Sequence, residues 1–333
     1  MRRKILRRLR AALRLPALLP WLLPPSLLVC AGIAACGRST ANSAAASSPT
    51  ASPRSGLWNE YSGARAFANV EQIVNFGPRP SGSEALEKSR VFIETRLKKC
   101  GWTVERQTFT AQTPRGPLEF VNLIARRADA SASTPRAVVC SHYDTKKFDD
   151  PGLRFVGAND GGSSTGALLE LARVLTLDPT FAREIELVFF DGEEGILAIN
   201  DHDGLYGSRH YAADLRQSGR AKQFKLGILW DMMGDRDLDI TLSPNSPPKL
   251  ARGIFAAADA LGTRAHFGYF RDDIIDDHVP LNAAGIPTID LIDFDYPPWH
   301  TEGDTLDKIS AESLEIVARA TIYCLYQVAP ELH

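Results

Sequence analysis

A short apolar run that stops at two adjacent carboxylates sets the tightest limit on how this chain can fold. Ile185 to Phe190 alternates and then turns continuously apolar, as an interior strand of an α/β sheet does, and Asp191-Gly192 ends it in a tight turn before Glu193-Glu194. Glu193 and Glu194 therefore stand at the carboxyl end of a strand, where open α/β sheets bind their ligands. Neighbouring carboxylates repel each other unless positive charge lies beside them, and a divalent cation supplies it most simply.

Other strand ends add to this. Ala137 to Cys140 is a second apolar run and leads into Ser141-His142-Tyr143-Asp144, a spacing at which a carboxylate fixes the tautomer of an imidazole. Gly157-Ala158-Asn159-Asp160-Gly161-Gly162 is a glycine-rich loop that holds Asp160 at the entrance of a helix running through Ala167 to Leu175. Leu229-Trp230-Asp231 closes another strand on an acid, and Trp299-His300 follows a strand over Thr288 to Ile292. Five strand or loop ends thus each deliver an acid or an imidazole, and together they describe a site rather than a solvated surface. Asp, Glu and His without a thiolate suit a catalytic Zn²⁺ with one position open.

The order His142-x-Asp144, Asp160, Glu193-Glu194, Asp231, His300 resembles the zinc exopeptidase superfamily, which includes aminopeptidases and animal-type glutaminyl cyclases. The likeness runs from Gly77-Pro78-Arg79-Pro80-Ser81-Gly82-Ser83 almost to the C-terminus. Phe155-Val156-Gly157-Ala158, Leu205 to His210, Asp276-Asp277-His278-Val279-Pro280-Leu281 and Trp299 are similar to the cyclase branch. That resemblance implies one zinc on Asp160, Glu194 and His300, and Glu193 as proton shuttle with Asp231 and Asp276 as its hydrogen-bonding partners. It also implies Trp299 as a wall of the substrate pocket. His278 is expected beside Asp277 as a structural partner, with substrate contact as its second reading. The implied reaction converts N-terminal Gln of peptides to pyroglutamate with loss of ammonia. The chain departs from the cyclase pattern at Asn159-Asp160-Gly161-Gly162-Ser163, which is closer to two-metal aminopeptidases, and at Ile199, where the cyclases place a second tryptophan.

The rival reading is a two-zinc aminopeptidase in which His142 and Asp231 bind a second ion, Asp160 bridges both and Glu193 deprotonates water. A serine hydrolase is suggested by Gly162-Ser163-Ser164-Thr165-Gly166 with Ser164, Asp276 and His300 in matching order, but no strand runs straight into Ser164 and Glu193, Glu194 and His142 are left without a task. A non-catalytic binding protein is the third class, and the intact ligand set argues against it.

The front of the chain differs from the rest. Seven basic residues and no acid occupy Met1 to Arg14, and a Leu-rich run broken by Pro16, Pro20, Pro24 and Pro25 follows. This is the pattern of a secretory signal over residues 1–35. Ile33-Ala34-Ala35-Cys36 resembles a bacterial lipobox, with lipid expected on Cys36. Gly37 to Gly56 is rich in Ser, Ala and Thr and reads as a tether, so 36–58 is the anchor and linker and 59–333 a single catalytic domain. Cleavage before Cys36 leaves 31 Lys+Arg against 40 Asp+Glu, a net charge of −9 that argues against nucleic acid as a partner. The expected location is the cell envelope, lipid-anchored and facing the periplasm or exterior, with peptide and protein N-termini as substrates and a monomer as the working form.

Within the domain, Ser81-x-x-Glu84 is expected to cap a helix from Glu84 to Cys100 ended by Gly101, and a last amphipathic helix spans Ser310 to Val328. Alternating strands and helices predict a three-layer α/β/α sandwich with a mostly parallel central sheet. Cys100, Cys140 and Cys324 read as buried thiols, with a disulfide between two of them left open. His202, His266 and His333 are assigned to solvent.

Overall fold

The computed structural model describes residues 56–127, 136–150 and 152–328; the expected signal segment, Cys36, nearly all of the linker and His333 lie outside the described residues. The elements follow in the order α1 (Gly63–Val74), α2 (Glu84–Lys99), β1 (Trp102–Thr113), β2 (Gly116–Arg127), β3 (Ala137–His142), α3 (Gly162–Leu175), α4 (Pro179–Ala182), β4 (Ile185–Phe190), α5 (Tyr206–Gln217), β5 (Leu226–Asp231), β6 (Ile240–Leu242), α6 (Pro248–Ala260), β7 (Phe267–Tyr269), α7 (His278–Ala283), β8 (Thr288–Ile292) and α8 (Ala311–Tyr323). All eight strands join one sheet in the order β1-β2-β4-β3-β5-β8-β6-β7.

The four central strands, β4, β3, β5 and β8, are parallel, with Ala137 opposite Ile185, Cys140 opposite Leu229 and Asp231 opposite Ile292. Their continuous apolar character follows from burial on both faces. Ile185, Leu187 and Phe189 of β4 pack with Val139, Ile228 and Ile289 under α1, α2, α3, α6 and α8. Val188 and Phe190, with Val138, Cys140 and Leu229, pack on the other face against Tyr211 and Leu215 of α5 and Leu281 of α7. This is the expected three-layer arrangement. Glu186 is the one charge in β4, and its carboxylate is held by the guanidinium groups of Arg126 and Arg220 and by the Tyr211 hydroxyl.

The margins of the sheet are less parallel than expected. Thr113 and Gly116 flank a two-residue turn, which forces β1 and β2 into an antiparallel hairpin, and β2 then pairs antiparallel with β4. On the far side β6 runs antiparallel to β8.

Helix α2 begins at Glu84 as expected, but its cap is a different serine. Ser83, not Ser81, accepts from the amide of Leu86, while the Ser81 hydroxyl donates to Asp191 at 2.6 Å. A buried carboxylate outcompetes the helix end for Ser81. The last helix starts after the cap Ser310 and passes into a π-turn over Cys324–Val328. Cys100, Cys140 and Cys324 are free thiols. Among the described residues no helix is long and apolar enough to cross a membrane.

Strand order fixes where a site can form. The chain leaves β3 through α3 on one face, returns in β4, and then crosses to β5 through α5 on the opposite face. The connections diverge around the carboxyl end of β3, a topological switch point of the kind that opens a crevice for ligands.

Candidate active site

His142 is the last residue of β3, Asp231 the last of β5, and Glu193-Glu194 follow β4 after a turn at Gly192. Gly192 has φ +74°, and a Cβ there would lie 2.4 Å from the Phe120 ring, so no other residue fits that turn. Asp160 lies just before α3. Its neighbour Gly161 has φ +68°, and a Cβ on it would meet the Asp144 carbonyl at 2.7 Å and the His142 ring at 2.9 Å. His300 follows β8 in a left-handed conformation, φ +54°, and Met232, directly after Asp231, has φ +41°. A non-glycine residue in that region is held there by its surroundings, and such strain gathers at functional sites.

These positions bring two triads together. Asp160, Glu194 and His300 offer one group of ligand atoms within 4.8 Å of one another, and His142, Asp160 and Asp231 offer a second. His300 Nε2 is 3.2 Å from Glu194 Oε1 and 3.4 Å from Asp160 Oδ2, and His142 Nε2 is 3.2 Å from both Asp160 Oδ1 and Asp231 Oδ1. His142 Nδ1 lies 3.5 Å from Asp144 without a hydrogen bond, so the expected carboxylate stands beside the imidazole while its Oδ1 accepts from the Glu193 amide.

A cation fits this donor set. Asp160 Oδ2 and Glu194 Oε2 are buried without a hydrogen-bond partner, and Lys146, whose ammonium lies 3.8 Å from Glu194 and donates to the Gly195 carbonyl, is the lone basic residue paired with these ligands among the described residues. Uncompensated buried carboxylates with an imidazole are the chemistry of a zinc centre.

Burial pushes the Glu193 carboxyl well above its usual range; His142 opposes the shift, and Glu194, Asp276 and Asp277 add to it. Glu194 is raised by burial and by Asp160, against His300. Asp160, though buried, is lowered, because His142, His300 and Arg79 stabilise its charge. A carboxyl with a raised pKa beside a metal-ligating group is suited to carrying a proton in both directions.

Several expected contacts take a different form. Asp231 was expected to bond Glu193 and Asp276; it accepts instead from the Met232 amide at 2.7 Å and faces His142, since that imidazole lies against it at the ends of adjacent strands. Asp276 accepts from the Asp277 amide at 2.5 Å, and its other oxygen has no partner. His278 is 3% exposed, with Nδ1 3.6 Å from Asp290, which places it among buried acids and not on a surface that substrate meets. Trp299 is 39% exposed and stacks on His300 at 4.3 Å, with Phe294 at 5.4 Å, so it stands at the mouth of the site. Ser164 lies inside α3 with a buried hydroxyl that has no hydrogen-bond partner, so no base activates it. His202 is exposed, as expected.

Sequence reasoning missed three supports. Asp304, fully buried, accepts from the amides of Asn159 at 2.7 Å and Asp160 at 3.0 Å and from the Tyr296 hydroxyl at 2.8 Å, tying the Asp160 loop to the segment that carries His300. Arg79 donates only to carbonyls, those of Tyr143, Val156, Gly157 and Asp160, and so shapes the same loop from the other side. Asp203 accepts from the amides of Ile196, Leu197 and Ala198 and from the Tyr206 hydroxyl, fixing the loop after Glu194. The signal for Asp304 was its spacing four residues after His300; nothing local marked the others.

The model of peptidase family M28 matches residues 122–325. A glutaminyl-peptide cyclotransferase-like protein of Bos taurus is 32% identical over 277 residues, 72% of this chain and 70% of that protein. The crystal structure of a glutaminyl cyclase from an Acidobacteriales bacterium superposes with a TM-score of 0.74 at 35% identity, covering 86% of this chain and 99% of that one. A Zn-dependent exopeptidase from Parabacteroides distasonis gives a TM-score of 0.73 at 25% identity, covering 80% and 99%.

Proposed function

The chain belongs to peptidase family M28, and from that footing we propose that it is a zinc-dependent glutaminyl-peptide cyclotransferase. It converts the N-terminal Gln of peptides and proteins to pyroglutamate and releases ammonia. The observation that carries this reading is the buried Glu193 carboxyl set beside the triad of Asp160, Glu194 and His300 in a chain whose relatives bear the cyclase name.

Asp160, Glu194 and His300 would hold one zinc, and the ion when bound supplies Lewis-acid polarisation of the γ-amide. Glu193 takes a proton from the α-amine as its nitrogen bonds to the side-chain amide carbon, Cδ, and returns that proton to the amide nitrogen, which leaves as ammonia when its bond to Cδ breaks. Nucleophile and amide belong to one residue, so holding the two in place supplies much of the rate; effective molarities for such closures reach on the order of 10⁵ M or more. Trp299 and Phe294 give the mouth an apolar wall that keeps water from the reacting carbon. Asp144 accepts from the Glu193 amide at 3.2 Å and so holds the backbone of the proton carrier.

One ion per chain is part of the proposal. The second reading, a two-zinc aminopeptidase, is favoured by the triad of His142, Asp160 and Asp231. Ammonia release with formation of pyroglutamate from a Gln-initiated peptide tests the first reading; steady hydrolysis of Leu- or Ala-initiated peptides with two zinc equivalents, one lost in His142→Ala, would replace it by the second.

The enzyme acts as a monomer at the cell envelope, anchored by lipid on Cys36. The tether of about twenty residues spans about 25 Å at 5 to 6 Å × √n. Several acyl chains make such attachment lasting. Cys36→Ala should move the protein out of the membrane fraction, and its retention there after high-salt washing would overturn the lipid anchor.

A further inference from the structure

Beside Glu194 a cleft of about 160 Å³ opens between the turn of the β1–β2 hairpin and Gly195-Ile196. A cavity of that order holds a group the size of benzene. Its inner wall includes Glu194 and Asp144 of the site, and its outer walls include Arg115 and Lys147. Asp144 faces His142 and the Glu193 amide, and Glu194, whose Oε2 has no hydrogen-bond partner, faces His300 and Lys146 as one of the three candidate zinc ligands. Arg115 is spoken for only in part, since one of its terminal nitrogens pairs with the exposed Asp149. Lys147 is exposed and has no ion-pair partner among the described residues. The cleft is therefore bounded on its inner side by a residue of the triad and at its rim by uncommitted positive charge.

We propose that this cleft receives the side chain of the residue following the N-terminal glutamine and selects a carboxylate, Asp or Glu, through Lys147 and Arg115. The proposal rests on the cyclase reading for the identity of the first residue, while the cleft's charge does not depend on that reaction. Both cations stand in the rim, so the preference is a few-fold and salt-dependent.

The test uses the zinc-loaded enzyme and pairs of otherwise identical peptides beginning Gln-Glu or Gln-Lys, with a second pair carrying the charge at the third position. The ratio of kcat/KM within each pair is independent of how much of a variant is active. The expected ratio for Glu over Lys at the second position is about 3- to 10-fold at low ionic strength, shrinking toward unity in about 0.5 M salt. Lys147→Glu combined with Arg115→Gln should carry the ratio below one. A ratio that the double substitution leaves unchanged, or a preference confined to the third position, overturns the assignment. If the enzyme forms no pyroglutamate and instead cleaves Leu-Glu and Leu-Lys peptides, the cyclase reading fails by itself. The ratio measured on hydrolysis then decides the cleft by the same criterion.

Discussion

Two groups of buried carboxylates stand near Glu193, and they are held in opposite ways. Asp191 has every oxygen occupied: Ser81 donates at 2.6 Å, the Val121 amide at 2.8 Å and Arg90 at 3.1 Å, while Arg90 also donates to the Tyr143 hydroxyl. In the second group one oxygen of Asp276, both of Asp290 and both of Asp277 meet no donor at bonding geometry, although His278 Nδ1 stands 3.6 Å from Asp290, Asp276 lies close enough to raise the Asp290 pKa, and Ser208 lies close enough to lower that of Asp277. No lysine or arginine among the described residues pairs with these three acids. Burial raises both Asp191 and Asp277 to about 7. The same value thus arises from two environments, and only the partners distinguish them. Where an arginine and oriented donors compensate the charge, the acid is framework. Where no arginine or lysine compensates it, burial favours the protonated acid, and Asp276 and Asp277 in turn push the Glu193 carboxyl upward.

The contrast would be broken most severely at Asp191. Asp191→Ala strips Arg90 and the Val121 amide of their partner, and loss of one side of a buried pair costs about 3–5 kcal/mol. Chemical denaturation should show that loss, and an unchanged midpoint would remove Asp191 from the framework. Glu193→Gln should leave zinc content and fold intact while turnover falls by about 10² or more. Glu194→Gln should instead lose zinc, since a neutral amide is a poor ligand. Metal analysis beside steady-state kinetics separates the two, and equal metal loss in both would undo the division of roles. Asp304→Asn should weaken zinc by about 10- to 100-fold, as expected when a group orienting the ligands is altered. Competition with a chromophoric chelator reads this without any turnover. The smallest effect is at Asp277. Its carboxyl is raised from an ordinary 3.8 to about 7 by burial, so the unfolded chain gives up this proton first. The stability it contributes is whole below about pH 4 and is lost as pH rises to about 7. Asp277→Asn should flatten that part of the stability profile and leave the protein about 1–2 kcal/mol more stable at pH 8. A variant with the parent's slope would show that Asp277 is ionised.

The parts of this molecule that were legible in the sequence are those in which one local pattern carries the whole cause. β4 and β8 were readable to their ends because burial on both faces leaves such strands mostly apolar, with Glu186 and Asp290 as their only charges, and the acids and imidazoles of the site stood out because they follow those runs. The antiparallel pairing of β2 with β4 was not readable, since β1 alternates between exposed and half-buried residues and announces no partner. The cap at Ser83 was misplaced by two positions because Ser81 is drawn away by Asp191, 110 residues further along the chain. Asp304 and Arg79 were missed for the same reason. Each acts on groups far away in sequence, and a single chain read in order contains no record of such a meeting.

The link from Asp304 to the amides of Asn159 and Asp160 also orders events during synthesis. Asp160 and Glu194 leave the ribosome long before His300, and the carboxylate that draws the two segments together comes four residues later still. A chain ending before residue 300 carries Asp160 and Glu194 without His300, although His142, Asp160 and Asp231 are already present. The triad of Asp160, Glu194 and His300 is therefore complete only once the segment carrying His300 and Asp304 has folded back.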